Sequence, residues 1–383
     1  MKRFAVILLI CTLILPLGIN SAFAANAENK PFDVDTKAAI LIDSGTGTLL
    51  YGKNIHEKLP PASVTKVMTL YLVLEAVDSG KIKLNDTVQV SEHASSMGGS
   101  QIYLAPGEEM NVQDMIKAVT VSSANDASVA LAEHIAGSEQ LFVEKMNEKA
   151  HEFGLKDTNF VNATGLPGDN HYTSVYDIAV ISKRLLNDHP SILKYSSIWM
   201  DTVRNGKFGL ANTNKLIRTY GADGLKTGST DEAKFCLSAT KKTGDTRLVA
   251  VIFGAPNSKT RFNETAKLLD YGFANFETYN LYKKNEKIGN ITVDKGNVDL
   301  YDAKAPEDIS ILIKKGERDN ITKSAQLIKK IKAPVKRGYV IGKIVVKDKD
   351  RVIKKIPIKL DKQISEASTL DMIKRIYKSW LRF

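Results

Sequence analysis

The spacing of apolar residues predicts strands at the start of the chain and helices in its middle. Residues 37–43 and 48–51 alternate as strands do and are joined by the turn sequence Ser44-Gly-Thr-Gly47, so they predict a β-hairpin. Apolar residues then recur at helical intervals. This spacing predicts five helices, over residues 64–77, 112–119, 126–135, 139–153 and 174–186.

Strand patterns return after the helical region. Residues 234–241 and 247–253 flank a tight Thr243-Gly-Asp245 turn and predict a second hairpin. A long amphipathic helix follows, whose apolar face carries Phe262, Ala266, Leu269, Phe273 and Phe276. Strands at both ends of a helical region predict an α/β (α+β) domain with a mostly antiparallel sheet, over residues 25–280.

The pattern changes again near Leu281. Short alternating segments, separated by Gly, Lys and Asp, predict a small all-β domain over residues 281–365. The segments lie at residues 291–293, 298–301, 309–313, 340–346 and 353–360.

Residues 366–383 have the pattern of an amphipathic helix. Its apolar face carries Leu370, Ile373, Ile376, Tyr377 and Trp380, and Lys374, Lys378 and Arg382 lie toward the other face. This arrangement is typical of a helix that lies in a membrane interface, and it predicts peripheral attachment to a membrane surface. A helix packed against the β domain is the alternative.

The first residues have the pattern of a secretory signal peptide. Lys2 and Arg3 precede an apolar run over residues 4–17, and Ala22-Phe-Ala24 is a small-x-small cleavage pattern. An uncleaved anchor is the alternative, but a membrane-spanning helix needs about 20 residues. Residues 1–24 are therefore predicted to be removed, leaving a chain exported to the outer face of the cytoplasmic membrane.

The distribution of charge limits the possible binding partners, and the cysteine content limits the possible disulfides. Residues 25–280 hold 26 basic and 30 acidic residues, whereas residues 281–383 hold 26 and 13, so the basic excess lies in the C-terminal part. Export removes nucleic acid as a partner, which leaves membrane lipid or an anionic wall polymer. Cys236 is the one cysteine after the signal segment and has apolar neighbours, which indicates a buried structural thiol and excludes a disulfide framework.

Three short patterns that could carry chemistry occur in order along the chain. They are Ser63-Val-Thr-Lys66, Ser123-Ala-Asn125 and Lys226-Thr-Gly228. Second matches occur at Ser191-Ile-Leu-Lys194 and Lys242-Thr-Gly244, but the latter fits a hairpin turn and the former lacks a convincing helix start. Taken singly, the three patterns are as easily explained by a helix cap, a loop amide and a solvated lysine.

The first pattern joins a nucleophile to a base. At a predicted helix N-terminus, the backbone N–H of Ser63 can stabilise an oxyanion, and the spacing brings Lys66 onto the same helix face. To accept a proton near pH 7, Lys66 needs a pKa lowered by about 3 units, roughly 4 kcal/mol. Burial or a neighbouring cation lowers a lysine pKa, and Lys226 is the candidate cation.

In this order the three patterns resemble those of serine penicillin-binding proteins and class A β-lactamases. Longer strings are similar to the D-alanyl-D-alanine carboxypeptidases among low-molecular-mass penicillin-binding proteins, and this resemblance covers nearly the whole mature chain. The strings are Leu59-Pro-Pro-Ala-Ser-Val-Thr-Lys66, Ser123-Ala-Asn-Asp-Ala127, Asp223-Gly-Leu-Lys-Thr-Gly228 and Leu268-Leu-Asp-Tyr-Gly-Phe273.

The resemblance implies a catalytic and a binding set. Ser63 attacks the carbonyl of the penultimate D-alanine, Lys66 takes its proton, and Ser123 passes a proton to the departing D-alanine. Backbone N–H groups of Ser63 and Ser229 form the oxyanion hole. The substrate-binding residues implied are Asn125, Lys226, Thr227, Gly228, Ser229 and Arg247. Arg247 resembles a family arginine near the terminal carboxylate, and an exposed strand arginine is the alternative; some relatives carry histidine in place of Ser229.

The resemblance also implies partners. They are the D-Ala-D-Ala end of peptidoglycan stem peptides and, as inhibitors, β-lactams, with no metal and no cofactor. Three alternatives remain open. A β-lactamase needs a further base, and the Glu-x-x-x-Asn pattern of class A enzymes is absent between the second and third patterns. A metal peptidase needs clustered ligands, but the six histidines show no His-Glu-x-x-His spacing. A catalytically silent wall-binding protein would not need Ser63, Lys66 and Lys226 together.

Overall fold

A computed structural model describes residues 31–373. The predicted signal segment and all but the start of the predicted terminal helix lie outside these residues. The helices described are α1 (Lys66–Asp78), α2 (Glu92–Ser95), α3 (Val112–Val121), α4 (Asn125–Ala136), α5 (Glu139–Glu152), α6 (Val175–Asp188), α7 (Leu193–Ser196), α8 (Leu216–Tyr220) and α9 (Ser258–Asn275).

The strands fall into two groups along the chain. Those before residue 276 are β1 (Ala38–Asp43), β2 (Leu49–Lys53), β3 (Thr87–Gln89), β4 (Glu109–Asn111), β5 (Met200–Val203), β6 (Phe208–Ala211), β7 (Gly224–Thr230), β8 (Lys234–Thr243) and β9 (Thr246–Ala255). Those after it are β10 (Phe276–Tyr282), β11 (Lys287–Asp294), β12 (Leu300–Lys304), β13 (Ile309–Lys314), β14 (Ile321–Leu327), β15 (Lys330–Lys332), β16 (Val340–Asp348) and β17 (Arg351–Lys359).

The central sheet joins the two ends of the first domain. Its order is β2-β1-β9-β8-β7 and every neighbouring pair is antiparallel. The predicted hairpins at residues 37–51 and 234–253 form β1–β2 and β8–β9, so the second Lys-Thr-Gly sequence does lie at a hairpin turn. This confirms the predicted α/β class.

Each face of the sheet is covered by helices. On one face, Ile40, Val249 and Val251 belong to the same buried cluster as α1, α3, α4 and α6. On the other, Gly272 of α9 lies over Leu41 and Leu248, and a Cβ at Gly272 would come within 2.4 Å of Leu248 Cδ1. The glycine therefore allows α9 to approach the sheet closely.

Helix α1 is central because it is apolar on nearly every side. Its residues 66–74 are all buried, which is the pattern of a helix surrounded by others rather than of a surface helix. The helix is preceded by a 3-10 turn, Ala62–Thr65, that contains Ser63. The central position of α1 holds that turn rigidly against the sheet.

The C-terminal part is all-β. It contains β10–β13, β12-β11-β15 and β14-β16-β17 around a separate apolar core that includes Leu281, Ile311 and Ile344. The predicted division at residue 281 falls inside β10, which pairs with β13. Helical geometry begins at residue 369 and is described to residue 373, so the structure does not test the rest of the terminal helix. None of the helices within residues 31–373 has the length and apolar character needed to cross a membrane.

Candidate active site

Ser63 lies in the 3-10 turn that leads into α1. The α-helix itself begins at Lys66, whereas the sequence pattern predicted a start at residue 64. Ala62 has a φ of 49°, and the backbone N–H of Lys66 donates to the carbonyl oxygens of Ser63 and Val64. The two prolines before Ala62 and its left-handed backbone explain why the regular helix begins only at Lys66. Ser63 remains partly exposed, whereas Lys66 is buried.

Two glycines allow backbone to pass directly beside Ser63. A Cβ at Gly165, where φ is 81°, would lie 1.9 Å from the carbonyl oxygen of Ala62. A Cβ at Gly228 would lie 2.9 Å from the backbone nitrogen of Ser63 and 2.8 Å from the carbonyl oxygen of Pro61. Any larger side chain at either position would displace the turn that carries the nucleophile.

The Lys66 ammonium group has three acceptors around it. Its Nζ lies 3.0 Å from Ser63 Oγ, 2.6 Å from Asn125 Oδ1 and 2.7 Å from the carbonyl oxygen of Thr164. The last two are acceptors only. When Lys66 is neutral, its two N–H groups can satisfy those acceptors, which leaves the nitrogen lone pair directed at Ser63 Oγ.

Electrostatics favour that neutral form. Burial lowers the pKa of Lys66 well below its usual value, the positive charge of Lys226 lowers it further, and Asp126 acts in the opposite direction. Lys226 is itself 1% exposed, and burial together with the Arg261 guanidinium lowers its pKa to about 7. Both lysines predicted from the sequence are therefore buried, and their charges interact.

The third pattern lies on β7, the edge strand beside the Ser63 turn. Lys226 Nζ donates to the carbonyl oxygen of Thr227 at 3.0 Å, and Thr227 Oγ1 donates to Thr213 Oγ1 at 2.6 Å. Ser229 is exposed at the end of the strand. The structure thus brings Lys226, Thr227 and Gly228 to the Ser63 turn, with Ser229 open to solvent.

The second pattern forms the tight link between α3 and α4. Ser123 is 3% exposed and has a φ of 65°, in the left-handed region that costs a non-glycine residue roughly 1 kcal/mol. Asn125 Nδ2 donates to the carbonyl oxygen of Gly98 at 2.6 Å, so both ends of its amide are engaged within the protein. In this state Asn125 connects Lys66 to the loop at residues 98–104.

Arg247 makes its side-chain contacts away from Ser63 and Lys66. Its guanidinium forms two 2.8 Å hydrogen bonds to the Asp223 carboxylate. Along the sheet, Lys226 is in register with Ser238 and Val251, four residues beyond Arg247 on β9. An arginine two strands away reaches the site only if it lies at the same level, and Arg247 does not.

Two residues that the sequence interpretation missed do adjoin β7. Arg261, in the first turn of α9, is 7% exposed and its Nη1 lies 3.3 Å from the carbonyl oxygen of Gly228. Thr213 donates its backbone N–H to Val121 at the end of α3 and accepts from Thr227, so it connects the second and third patterns. The sequence signal for Arg261 was its position just after the predicted strand at residues 247–253 and at the start of the predicted amphipathic helix.

His171 contacts the turn that contains Ser63 through the side chain of Thr65. Its Nδ1 accepts from the backbone N–H of Val161 at 3.0 Å, so its Nε2 carries the proton and donates to Thr65 Oγ1 at 2.8 Å. Burial lowers the pKa of His171 to about 4. Thr65 is the neighbour of Lys66, which makes the neutral imidazole part of the site's support.

This burial predicts a pH-dependent stability. The unfolded chain binds a proton at position 171 below about pH 6.5 and the folded protein only near pH 4, so stability falls as pH decreases through that window. Between pH 7 and pH 5 the loss from this group is about 2 kcal/mol. Urea unfolding at both pH values should show a smaller loss for His171→Gln. The exposed His134 supplies the control, and His134→Gln should behave as wild type; an equal loss in all three proteins would contradict the assignment.

The sequence raised two other kinds of site, a reactive cysteine and a metal centre. Cys236 is buried, and burial raises the pKa of its thiol to about 12, so the thiolate is disfavoured. Within residues 31–373, no three His, Cys, Asp or Glu side chains are grouped so that they could hold a metal ion.

Comparison with known proteins places this site in a family. The family profile described as D-alanyl-D-alanine carboxypeptidase matches residues 24–257, and the profile described as penicillin-binding protein 5, C-terminal domain, matches residues 276–366. The chain is 45% identical to the D-alanyl-D-alanine carboxypeptidase DacF of Bacillus subtilis, over 100% of both chains.

Solved structures agree. Penicillin-binding protein 5 of Haemophilus influenzae is 34% identical, with a TM-score of 0.77 over 88% of this chain and 100% of that one. Penicillin-binding protein D2 of Listeria monocytogenes in its ampicillin-bound form is 32% identical, with a TM-score of 0.58 over 63% of this chain and 98% of that one. The chain belongs to the D-alanyl-D-alanine carboxypeptidase family of serine penicillin-binding proteins.

Proposed function

We propose that the protein removes the terminal D-alanine from peptidoglycan stem pentapeptides through an acyl-enzyme on Ser63. The observation that carries the proposal is the placement of Lys66 Nζ, 3.0 Å from Ser63 Oγ, with its other two close partners being oxygen acceptors. A serine hydroxyl is a weak nucleophile unless a neighbouring base takes its proton. Here that base is buried beside the hydroxyl.

In the first step, Ser63 Oγ bonds to the carbonyl carbon of the penultimate D-alanine as its proton passes to Lys66 Nζ. Backbone N–H groups of Ser63 and Ser229 stabilise the oxyanion that forms. The C–N bond to the last D-alanine then breaks as Ser123 delivers a proton to the departing amine and takes the proton held by Lys66, which leaves Lys66 neutral for the second step. Its left-handed backbone places Ser123 in the short link between α3 and α4, next to the Asn125 that holds Lys66.

In the second step, water replaces the amine. Lys66 accepts a proton from the water as its oxygen attacks the acyl carbon, and the ester bond to Ser63 Oγ breaks with return of a proton to the serine. The product is a shortened peptide with a free carboxylate. No metal or cofactor takes part, since each proton transfer uses a side chain of the chain itself.

The substrate's terminal carboxylate is attracted by positive charge at the end of β7. Lys226 supplies it, Thr227 and Ser229 offer hydroxyl donors, and Arg261 adds a second buried cation behind Gly228. Neither cation has a carboxylate within 4.0 Å among residues 31–373, and such unpaired cations are costly in a buried site. A bound carboxylate compensates them, which makes this end of β7 the recognition point for a C-terminal substrate rather than an internal peptide.

The test is incubation of the purified protein with a synthetic D-Ala-D-Ala pentapeptide and with benzylpenicillin. We expect release of one D-alanine per peptide, and a stable mass increase of one penicillin that maps to the peptide containing Ser63. The ampicillin-bound relative supports the second expectation. Rapid loss of the adduct with turnover of penicillin would favour a β-lactamase, and neither adduct nor D-alanine would favour a silent wall-binding protein.

We also propose that the chain is exported and held at the outer face of the cytoplasmic membrane by residues 366–383. Residues 1–24 support export, and the exposed Leu370 and Ile373 at the start of the last helix support an apolar attachment face. Burying such side chains contributes up to about 1.5 to 3 kcal/mol each, and each lysine near anionic lipid about 1 kcal/mol. These sums suit reversible attachment.

Deleting residues 369–383 is expected to move the protein from the membrane to the soluble fraction, because the apolar face is lost while the Gly296–Glu366 bridge is kept. Cell fractionation followed by fluorescent penicillin labelling measures both location and active-site integrity. Continued sedimentation of a labelled, truncated protein with membranes would show that another part of the chain attaches it.

A further inference from the structure

The sheet β14-β16-β17 has one face in the domain core and one face toward solvent. Ile344, Val346 and Ile358 are fully buried in the core. Because successive side chains of a strand point to opposite faces, the residues between them point outward. Of the lysines there, Lys343, Lys355 and Lys359 are exposed and Lys347 is half-buried, and Val345 on the same face is 4% exposed. The outward face has no partner within the described chain, and it carries an ordered set of lysines.

Four lysines occupy successive levels of this outward face. In the register of the two strands, Lys359 lies opposite Val340, Lys343 opposite Pro357, Lys355 opposite Val345, and Lys347 opposite Val352. The charge therefore alternates between β17 and β16 from one level to the next. With about 3.4 Å per residue, this gives one positive charge roughly every 7 Å along the strands.

These four lysines are not neutralised by the protein. Within residues 31–373, none has a carboxylate within 4.0 Å, and the facing outward positions of β14 are Thr322, Ser324 and Gln326. The sheet β12-β11-β15 is different, since Lys287 pairs with Asp302 at 2.9 Å and Lys330 with Asp294 at 3.3 Å. A row of like charges lowers stability unless an anion accompanies it.

A shallow groove runs between the lysines. It has a volume of about 410 Å³, and its lining includes the apolar residues Ile328, Val340 and Pro357 together with Lys343 and Lys355. Apolar atoms between regularly spaced cations suit a ligand in which uncharged carbon segments alternate with anions. A rigid ligand with one anionic group would use a single level only.

We infer that this lysine face binds a linear polymer of short polyol units joined by phosphodiesters, lying along the strands. One negative charge per short repeat matches one lysine per level, and the carbon segments lie against the apolar residues that line the groove. The terminal helix begins after the bridges Val335–Ile364 and Gly296–Glu366. These bridges adjoin the sheet β12-β11-β15, so the proposed membrane helix does not depart from the lysine face. The inference goes beyond the proposed peptidase activity and requires only export.

The experiment measures binding of fluorescent poly(glycerol phosphate) to the full-length protein at low and at high salt. The test variant replaces Lys343, Lys347, Lys355 and Lys359 with glutamine. The matched control replaces Lys287, Lys304, Lys330 and Lys332 with glutamine, which gives the same net charge. We expect the test variant to lose about tenfold or more in affinity and the control less than about threefold, with binding that weakens as salt rises, because contacts between lysines and a polyanion release counterions.

Each other outcome overturns the inference. Equal losses in both variants would mean that net charge alone drives binding, and no binding by the wild-type protein would remove the site. A parallel arm uses phosphatidylglycerol vesicles, and a loss of vesicle binding in the test variant without a loss of polymer binding would assign the face to the membrane. Penicillin labelling of all proteins verifies that the first domain is intact and keeps this result separate from the proposed activity.

Discussion

Replacing Ser63 with alanine is expected to abolish both D-alanine release and covalent labelling by penicillin. The hydroxyl is the only group in the proposed mechanism that bonds to substrate, so the loss in kcat should be about 10⁴-fold or more. The turn itself should persist, because Gly165 and Gly228 pack against backbone atoms of residues 61–64 and not against the serine side chain. A pentapeptide assay with intact-mass analysis measures both effects.

The second Ser-x-x-Lys sequence provides a matched control. Ser191 lies in a short 3-10 turn ahead of α7. Ser191→Ala removes the serine hydroxyl from this second Ser-x-x-Lys sequence. It should leave labelling and D-alanine release unchanged. Wild-type D-alanine release by Ser63→Ala would remove this residue from the mechanism.

Replacing Lys66 with arginine is expected to lower the acylation rate about 10³-fold, because an arginine keeps the charge but does not act as a base near neutral pH. Wild-type acylation should increase with pH as the Lys66 ammonium loses its proton, and its depressed pKa places that increase well below the usual range for lysine. Stopped-flow acylation by a chromogenic β-lactam over a range of pH values measures the rate and its pH dependence.

Lys194 is the corresponding control, since it ends the second Ser-x-x-Lys sequence and is exposed. Lys194→Arg should retain the wild-type rate and pH profile. An acylation rate that stays flat across the pH range in the wild-type protein, or a Lys66→Arg protein of normal rate, would mean that another group activates Ser63.

Strongly periodic segments could be predicted from the sequence. The helix at residues 174–186 and the hairpin at residues 234–253 appear where their apolar spacing placed them, as α6 and β8–β9. β14 was missed because Ile321-Thr-Lys-Ser-Ala-Gln-Leu327 contains few apolar residues, and it is held mainly by its pairing with β16. Such a strand depends on its neighbour, which a local pattern does not reveal.

The site was predictable where chemistry resides in side chains. Ser63, Lys66 and Lys226 converge as their patterns indicate, but the third partner of Lys66 is the carbonyl oxygen of Thr164, and a backbone atom leaves no residue-type signal. Arg247 was predicted because, on the strand after the third pattern, it resembles a family arginine near the carboxylate site. The sheet register shows that Arg247 lies away from Lys226, and the contact with Gly228 shows that Arg261, on a helix, is the arginine beside β7.

The two glycines against the Ser63 turn restrict how this protein can become less sensitive to antibiotics. Residues 165 and 228 cannot gain a side chain without moving the nucleophile that cell-wall metabolism also requires. Substitutions that spare the natural reaction while slowing drug acylation are therefore expected at other positions, such as the exposed Ser229. Variants from drug-selected populations are therefore expected to keep glycine at residues 165 and 228.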